Sequence, residues 1–210
     1  MNARCTAVLT ATALLALTAC SGGREKVLMP PRVDLSGYGA IGIVEFSSNS
    51  KGNLATYSTQ KFLQYVQSAQ PGVPALELGS ERELLRKLGV QELNFMAIRK
   101  LGEEFGVDAV FVGHLEVTSV KPKLNIGRML TSMSVEANVS AELTTRLFAA
   151  KSGATAWTRS SRGTAPAAAV SLSGNGRPTS FESDDPEKAY GKLVGSLVGY
   201  VTNDFRSYYR

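Results

Sequence analysis

The chain has 210 residues, 43% hydrophobic and 20% charged, with 23 Lys and Arg against 18 Asp and Glu for a formal net charge of +5. That length can bury a sizeable single core, and two cysteines are too few for a disulfide framework. The basic surplus is spread along the chain except for pairs such as Arg86-Lys87, Arg99-Lys100 and Lys121 with Lys123. Such a balance suits a surface near anionic lipid or cell-wall polymer, and the lack of a basic helix, zinc finger or aromatic RNA-binding pattern points away from nucleic acid.

Residues 1–19 read as an export leader. Arg4 supplies its single charge, Ala7–Leu17 its apolar stretch, and Leu17-Thr18-Ala19-Cys20 closes it with small residues. The stretch falls short of the roughly 20 apolar residues that a bilayer crossing takes. The closing run resembles the lipobox of bacterial lipoproteins, whose signal peptidase cuts before the cysteine. The resemblance implies a mature chain of residues 20–210 beginning at an acylated Cys20. Three acyl chains, palmitate among them, would anchor it stably where one chain is marginal. Ser21, in place of Asp, implies an outer-membrane rather than an inner-membrane address, and the expected location is the periplasmic face of the outer membrane, lipid-anchored. Cys5 then leaves with the leader and Cys20 carries lipid, so no thiol remains for a nucleophile, a cysteine zinc site or an iron–sulfur cluster. No second apolar segment is long enough to span a bilayer.

Residues 20–39, with Gly22-Gly23, Pro30-Pro31, Gly37 and Gly39, have linker composition and are expected to form a lipidated flexible tether before a single periplasmic domain, residues 40–210. Ala40–Phe46 reads as a buried strand ending in a polar loop. Leu54, Tyr57, Phe62, Tyr65, Val66 and Ala69 recur at helical spacing until Pro71-Gly72 stops them. Ala75–Leu78 is a short strand candidate, and Ser80 with Glu83 form a capping-box pattern opening a helix that Gly89 ends. A second helix carries Leu93, Ala97, Leu101 and Phe105 on one stripe up to Gly106, and Val107–Gly113 then reads as an inner strand, apolar on both faces.

From Val135 to Leu147 apolar and polar residues alternate almost without break, so one strand face should be covered and the other polar. Lys151-Ser152-Gly153 is a turn, and Ala154–Arg162 the hairpin partner, with Trp157 opposite in facing to Ala156, Thr158 and Ser160. Pro122–Met133 reads as a long connection or the tips of an extended hairpin, and residues 164–183, rich in Ala, Ser, Gly and Pro, as a mobile loop. A last helix begins near Asp184-Asp185-Pro186-Glu187 and presents Ala189, Leu193, Leu197, Val201 and Phe205 to the sheet. The expected fold class is α/β (α+β): a single mixed β-sheet covered by helices, with a long antiparallel hairpin and a C-terminal helix.

The strand Ile41–Phe46, the helix end Leu101-Gly102-Glu103-Glu104-Phe105-Gly106, the strand Val107–Gly113, and a long hairpin followed by a closing helix resemble the superfamily containing the curli-secretion lipoprotein CsgG, the penicillin-binding-protein activator LpoB and the N-terminal domain of TolB. The resemblance covers about residues 40–205. It implies a periplasmic domain without catalytic activity that binds other envelope proteins and sometimes self-associates into rings. The function so implied is an interaction or accessory role in envelope assembly, secretion or cell-wall synthesis. The alternative is an oligomeric secretion-channel subunit, which needs membrane-inserted hairpins with apolar outer faces. Lys121, Pro122, Lys123, Asn125 and Arg128 suit such a band poorly.

No catalytic, metal or cofactor site is assigned. His114, the sole histidine, shares a strand face with Glu116, but no nucleophile elbow or ligand cluster joins them. Asp184, Asp185 and Glu187 read as helix-capping acids, and Ser173-Gly174-Asn175-Gly176-Arg177 lacks the context of a phosphate loop. Phe205, Tyr208, Tyr209 and Arg210 form the candidate partner surface, since a chain end tends to be exposed; the alternative is that they pack the last helix turn against the sheet.

Overall fold

The computed structural model describes residues 26–50, 52–126, 132–173, 178–183 and 186–210. The leader 1–19, Cys20, the first part of the expected tether, residues 174–177 and the acids Asp184 and Asp185 lie outside the described residues. In chain order the elements are β1 (Leu28–Met29), β2 (Ile41–Glu45), β3 (Ser47–Ser48), α1 (Leu54–Ala69), β4 (Ala75–Ser80), α2 (Glu81–Leu88), α3 (Phe95–Phe105), β5 (Ala109–Ile126), β6 (Ser132–Ala149), β7 (Thr155–Ser173), β8 (Pro178–Ser183), α4 (Pro186–Val201), a 3-10 turn (Thr202–Phe205) and β9 (Tyr208–Tyr209).

Residues Pro30–Ser207 form one compact unit. Its mixed sheet has the order β4-β2-β5-β6-β7-β8, with β3 also paired to β5. Parallel pairing joins β2 to β4 and to β5, and antiparallel pairing runs from β5 to β8. Parallel neighbours require crossovers, and here they take opposite faces. From α1, Phe62 and Val66 pack with Ile41, Ile43 and Phe111, whereas Leu84 of α2 and Ile98 and Leu101 of α3 pack with Val44, Leu78 and Val110. Alternate residues of β2 and β5 thus feed two cores, which is why both strands are apolar on both faces.

Helix boundaries follow local chemistry. Ser80 caps α2, its hydroxyl accepting the Glu83 amide at 3.4 Å, and Gly89 closes it in the left-handed conformation (φ 66°). Asn94 caps α3 by accepting from the Met96 and Ala97 amides, both at 3.0 Å. The final helix, α4, buries Leu193, Val194, Leu197, Val198 and Val201 on the core that also holds Val139, Ala141 and Leu143 of β6.

Two expectations need correction. Residues 30–39 are not free tether: Leu35 is fully buried, and Gln70 accepts from its amide at 2.7 Å while donating to the carbonyls of Val33 (2.6 Å) and Phe205 (3.0 Å). Apolar Val33, Leu35 and Tyr38 supply the packing that linker composition concealed. Residues 164–183 are not a loop in their described part, because β7 continues to Ser173 and β8 covers 178–183. Pro166 lies where the β6–β7 register shifts, between Ala137 and Asn138, and a bulge tolerates a residue that cannot donate to the ladder. Of the expected connection Pro122 to Met133, the described residues 122–126 and 132–133 belong to the antiparallel strands β5 and β6, 18 residues each, and residues 127–131 lie outside the described residues.

The second unit, in its described part, is a ribbon. Leu28 pairs with Tyr209 and Met29 with Tyr208 in antiparallel register, and Val27 and Arg210 exchange backbone bonds at 3.2 and 3.0 Å.

Candidate functional site

The candidate partner surface divides. Phe205 is completely buried, its ring 4.9 Å from that of Trp157, 5.6 Å from Phe111 and 6.3 Å from Phe62. It is core, and this corrects its assignment to a contact surface; it completes the apolar stripe of α4 one turn beyond the helix. Tyr208 and Tyr209, by contrast, are exposed in β9, as is Arg210.

Beside Phe205 lies a charge cluster that sequence patterning does not disclose. Asp204 accepts from Arg159 at 2.6 and 2.7 Å and from the indole of Trp157 at 3.1 Å, with Arg32 at 3.7 Å. Burial pushes the Asp204 pKa up, but the Trp157 and Arg159 hydrogen bonds and the charges of Arg159 and Arg32 outweigh it, leaving the carboxyl below its ordinary value. Arg159 in turn stacks on Tyr200, 4.7 Å from the ring centroid. The only sequence signal is alternation, which puts Arg159 on the Trp157 face of β7; that Asp204 meets them there is long-range information. The cluster fastens the 3-10 turn to the sheet.

A polar sheet face is formed by β5, β6 and β7. Across the three strands, His114 stands level with Thr144 and Ser160, Glu116 with Glu142 and Arg162, and Thr118 with Ser140 and Thr164. Cross-strand bonds link Thr144 to Ser160 at 2.8 Å, Ser140 to Thr164 at 3.1 Å, and Arg162 Nε to Glu142 at 2.9 Å. His114 and Glu116 do share this face and are both exposed. Nδ1 of His114 lies 2.8 Å from Oγ of Ser47, a neighbour across the β3–β5 pairing that sequence spacing could not supply. Among the described residues no carboxylate is hydrogen-bonded to that ring.

A cleft of about 830 Å³ opens where β2 and β4 end beside the first turns of α1 and α2, with Glu45, Ser47, Thr56, Ser80, Arg82 and Arg86 among its lining. Its Glu45 already accepts from the Thr56 hydroxyl at 2.6 Å. Among the described residues no three His, Cys, Asp or Glu side chains converge to hold a metal ion. No described helix is long and apolar enough to cross a membrane.

No family model matches the chain, and no curated protein matches it in sequence. Solved structures similar to it include bacterial lipoproteins at low identity. The PelC dodecamer of Paraburkholderia phytofirmans is 11% identical, with a TM-score of 0.45 over 87% of this chain and 96% of that one. Lipoprotein GNA1162 of Neisseria meningitidis is 18% identical, with a TM-score of 0.35 over 79% and 99%. The LpoB C-terminal domain of Salmonella enterica is 11% identical, with a TM-score of 0.35 over 72% and 93%.

Proposed function

We propose that this chain is a lipid-anchored interaction or accessory domain at the periplasmic face of the outer membrane, serving envelope assembly, secretion or cell-wall synthesis without catalysis of its own. The observation that carries it is Leu17-Thr18-Ala19-Cys20 at the end of a short apolar leader. Lipidation places a folded body beside a membrane, and a body of continuous sheet and capped helices can present side chains rigidly to a partner. Its partner is an envelope protein, and self-association is compatible with the same role. In-cell photo-crosslinking from Ser160 on the polar sheet face and from Tyr209 in the ribbon tests this. A discrete envelope protein, or a second copy, should be captured from at least one position. Capture of nothing above background from either position would contradict the proposal.

A further inference from the structure

Half of the eight large hydrophobic side chains exposed among the described residues lie in the ribbon of β1 and β9: Val27 (57% exposed), Leu28 (56%), Tyr208 (48%) and Tyr209 (67%). The pairing sets Leu28 directly opposite Tyr209, and residues opposite each other in a ladder project to the same face. One ribbon face therefore offers an aliphatic and an aromatic group side by side to solvent. A two-stranded ribbon has no core of its own in which to bury them. Lys26 and Arg210 flank the pair, and the described ribbon residues include no acidic side chain.

We propose that this ribbon is a membrane-docking element, its Leu28–Tyr209 face lying at the boundary of headgroups and acyl chains in the leaflet that holds the Cys20 lipid. The inference rests on the anchored reading above. Three observations select lipid over other occupants. Only seven residues run from Cys20 to Val27, a reach of about 25 Å even when fully extended, so the anchor keeps the ribbon beside the bilayer. Tyrosine, with an apolar ring and a polar hydroxyl, and Lys and Arg, with apolar stems and charged heads, suit that depth. The two basic side chains complement anionic headgroups, with no acidic side chain among the described ribbon residues to oppose them. Because the anchor has already removed most translational freedom, a small contact suffices to hold the ribbon down.

The test uses the lipidated full-length protein purified from membranes and reconstituted into phosphatidylethanolamine–phosphatidylglycerol vesicles. Acylation leaves the mature chain no free thiol, so Leu28→Cys, Tyr209→Cys and the control Ser160→Cys each accept a single nitroxide label. Collision with dissolved oxygen, which concentrates in lipid, should exceed collision with a water-soluble nickel chelate several-fold at 28 and 209, and the order should reverse at 160. The mass of the Cys20 peptide from the same preparations reports the anchor separately. Labels at 28 and 209 as water-exposed as that at 160, with Cys20 acylated, would overturn docking and leave the anchor standing. Labels shielded from both reagents would place protein on the ribbon, a partner or a second copy, and would also overturn it. An unmodified Cys20 would remove the anchored reading on which the docking depends.

Discussion

At Asp204, with only 8% of its surface exposed, a carboxylate is held between the Arg159 guanidinium and the Trp157 indole. Since its folded pKa lies below the unfolded value, the ionised group stabilises the fold fully above about pH 4, and that contribution is lost as pH falls through the folded pKa. Asp204→Asn should therefore lower the stability measured by urea unfolding at pH 7 and flatten its decline on acidification. A variant with the wild-type acid slope would contradict this account of the cluster. Asp204→Ala, which strands Arg159 against Trp157, should cost about 3 kcal/mol. Four residues along the chain separate two different outcomes: Phe205→Ala should cost about 3–5 kcal/mol because it empties a fully buried aromatic site. Tyr209→Ala in the exposed ribbon should change stability by less than about 0.5 kcal/mol. Helical spacing already put Phe205 on the apolar stripe of the last helix, but proximity to the chain end argued for exposure; the ring contacts decide for burial.

Most elements were legible because their periodicity and punctuation agree. The helix Leu54–Ala69 begins and ends where its apolar stripe does, and Gly89 and Gly106 mark the ends of α2 and α3. Asn94→Ala, which deprives two amides of their acceptor, should cost about 1 kcal/mol by thermal or urea unfolding. What local reading misjudged was β7, because Pro166 and the small residues around it have loop composition, and only the β6 partner reveals the register shift that accommodates the proline. Nor does composition show why residue 113 is glycine. A Cβ there would come within 2.6 Å of the Phe46 ring, which is 1% exposed. Gly113→Ala should overpack that site and lower stability by about 1–3 kcal/mol. An unchanged unfolding midpoint would show that Phe46 can move.

At the scale of the whole chain, the mixed sheet covered by helices, with a long antiparallel hairpin and a C-terminal helix, was expected from the order of apolar patterns, and that architecture is present, its helices on both faces. The boundary between tether and body was not, because it depends on bonds between residues far apart in sequence: Gln70 with Val33 and Leu35, and Gly39 with Asp108 at 2.7 Å. The candidate site was legible in part. Alternation along β6 and β7 marked the polar face, whereas the Ser47–His114 contact, the Asp204 cluster and the β1–β9 ribbon arise from pairings that no local pattern encodes. On the proposed function the body is a display for surfaces held near a membrane, and everything in that account hangs on Cys20. Intact mass and peptide mapping of the protein extracted from the cell envelope test it directly. The account predicts a chain starting at Cys20 with a diacylglyceryl thioether and an acylated amine; an unmodified Cys20, or a mature terminus on either side of it, would contradict it.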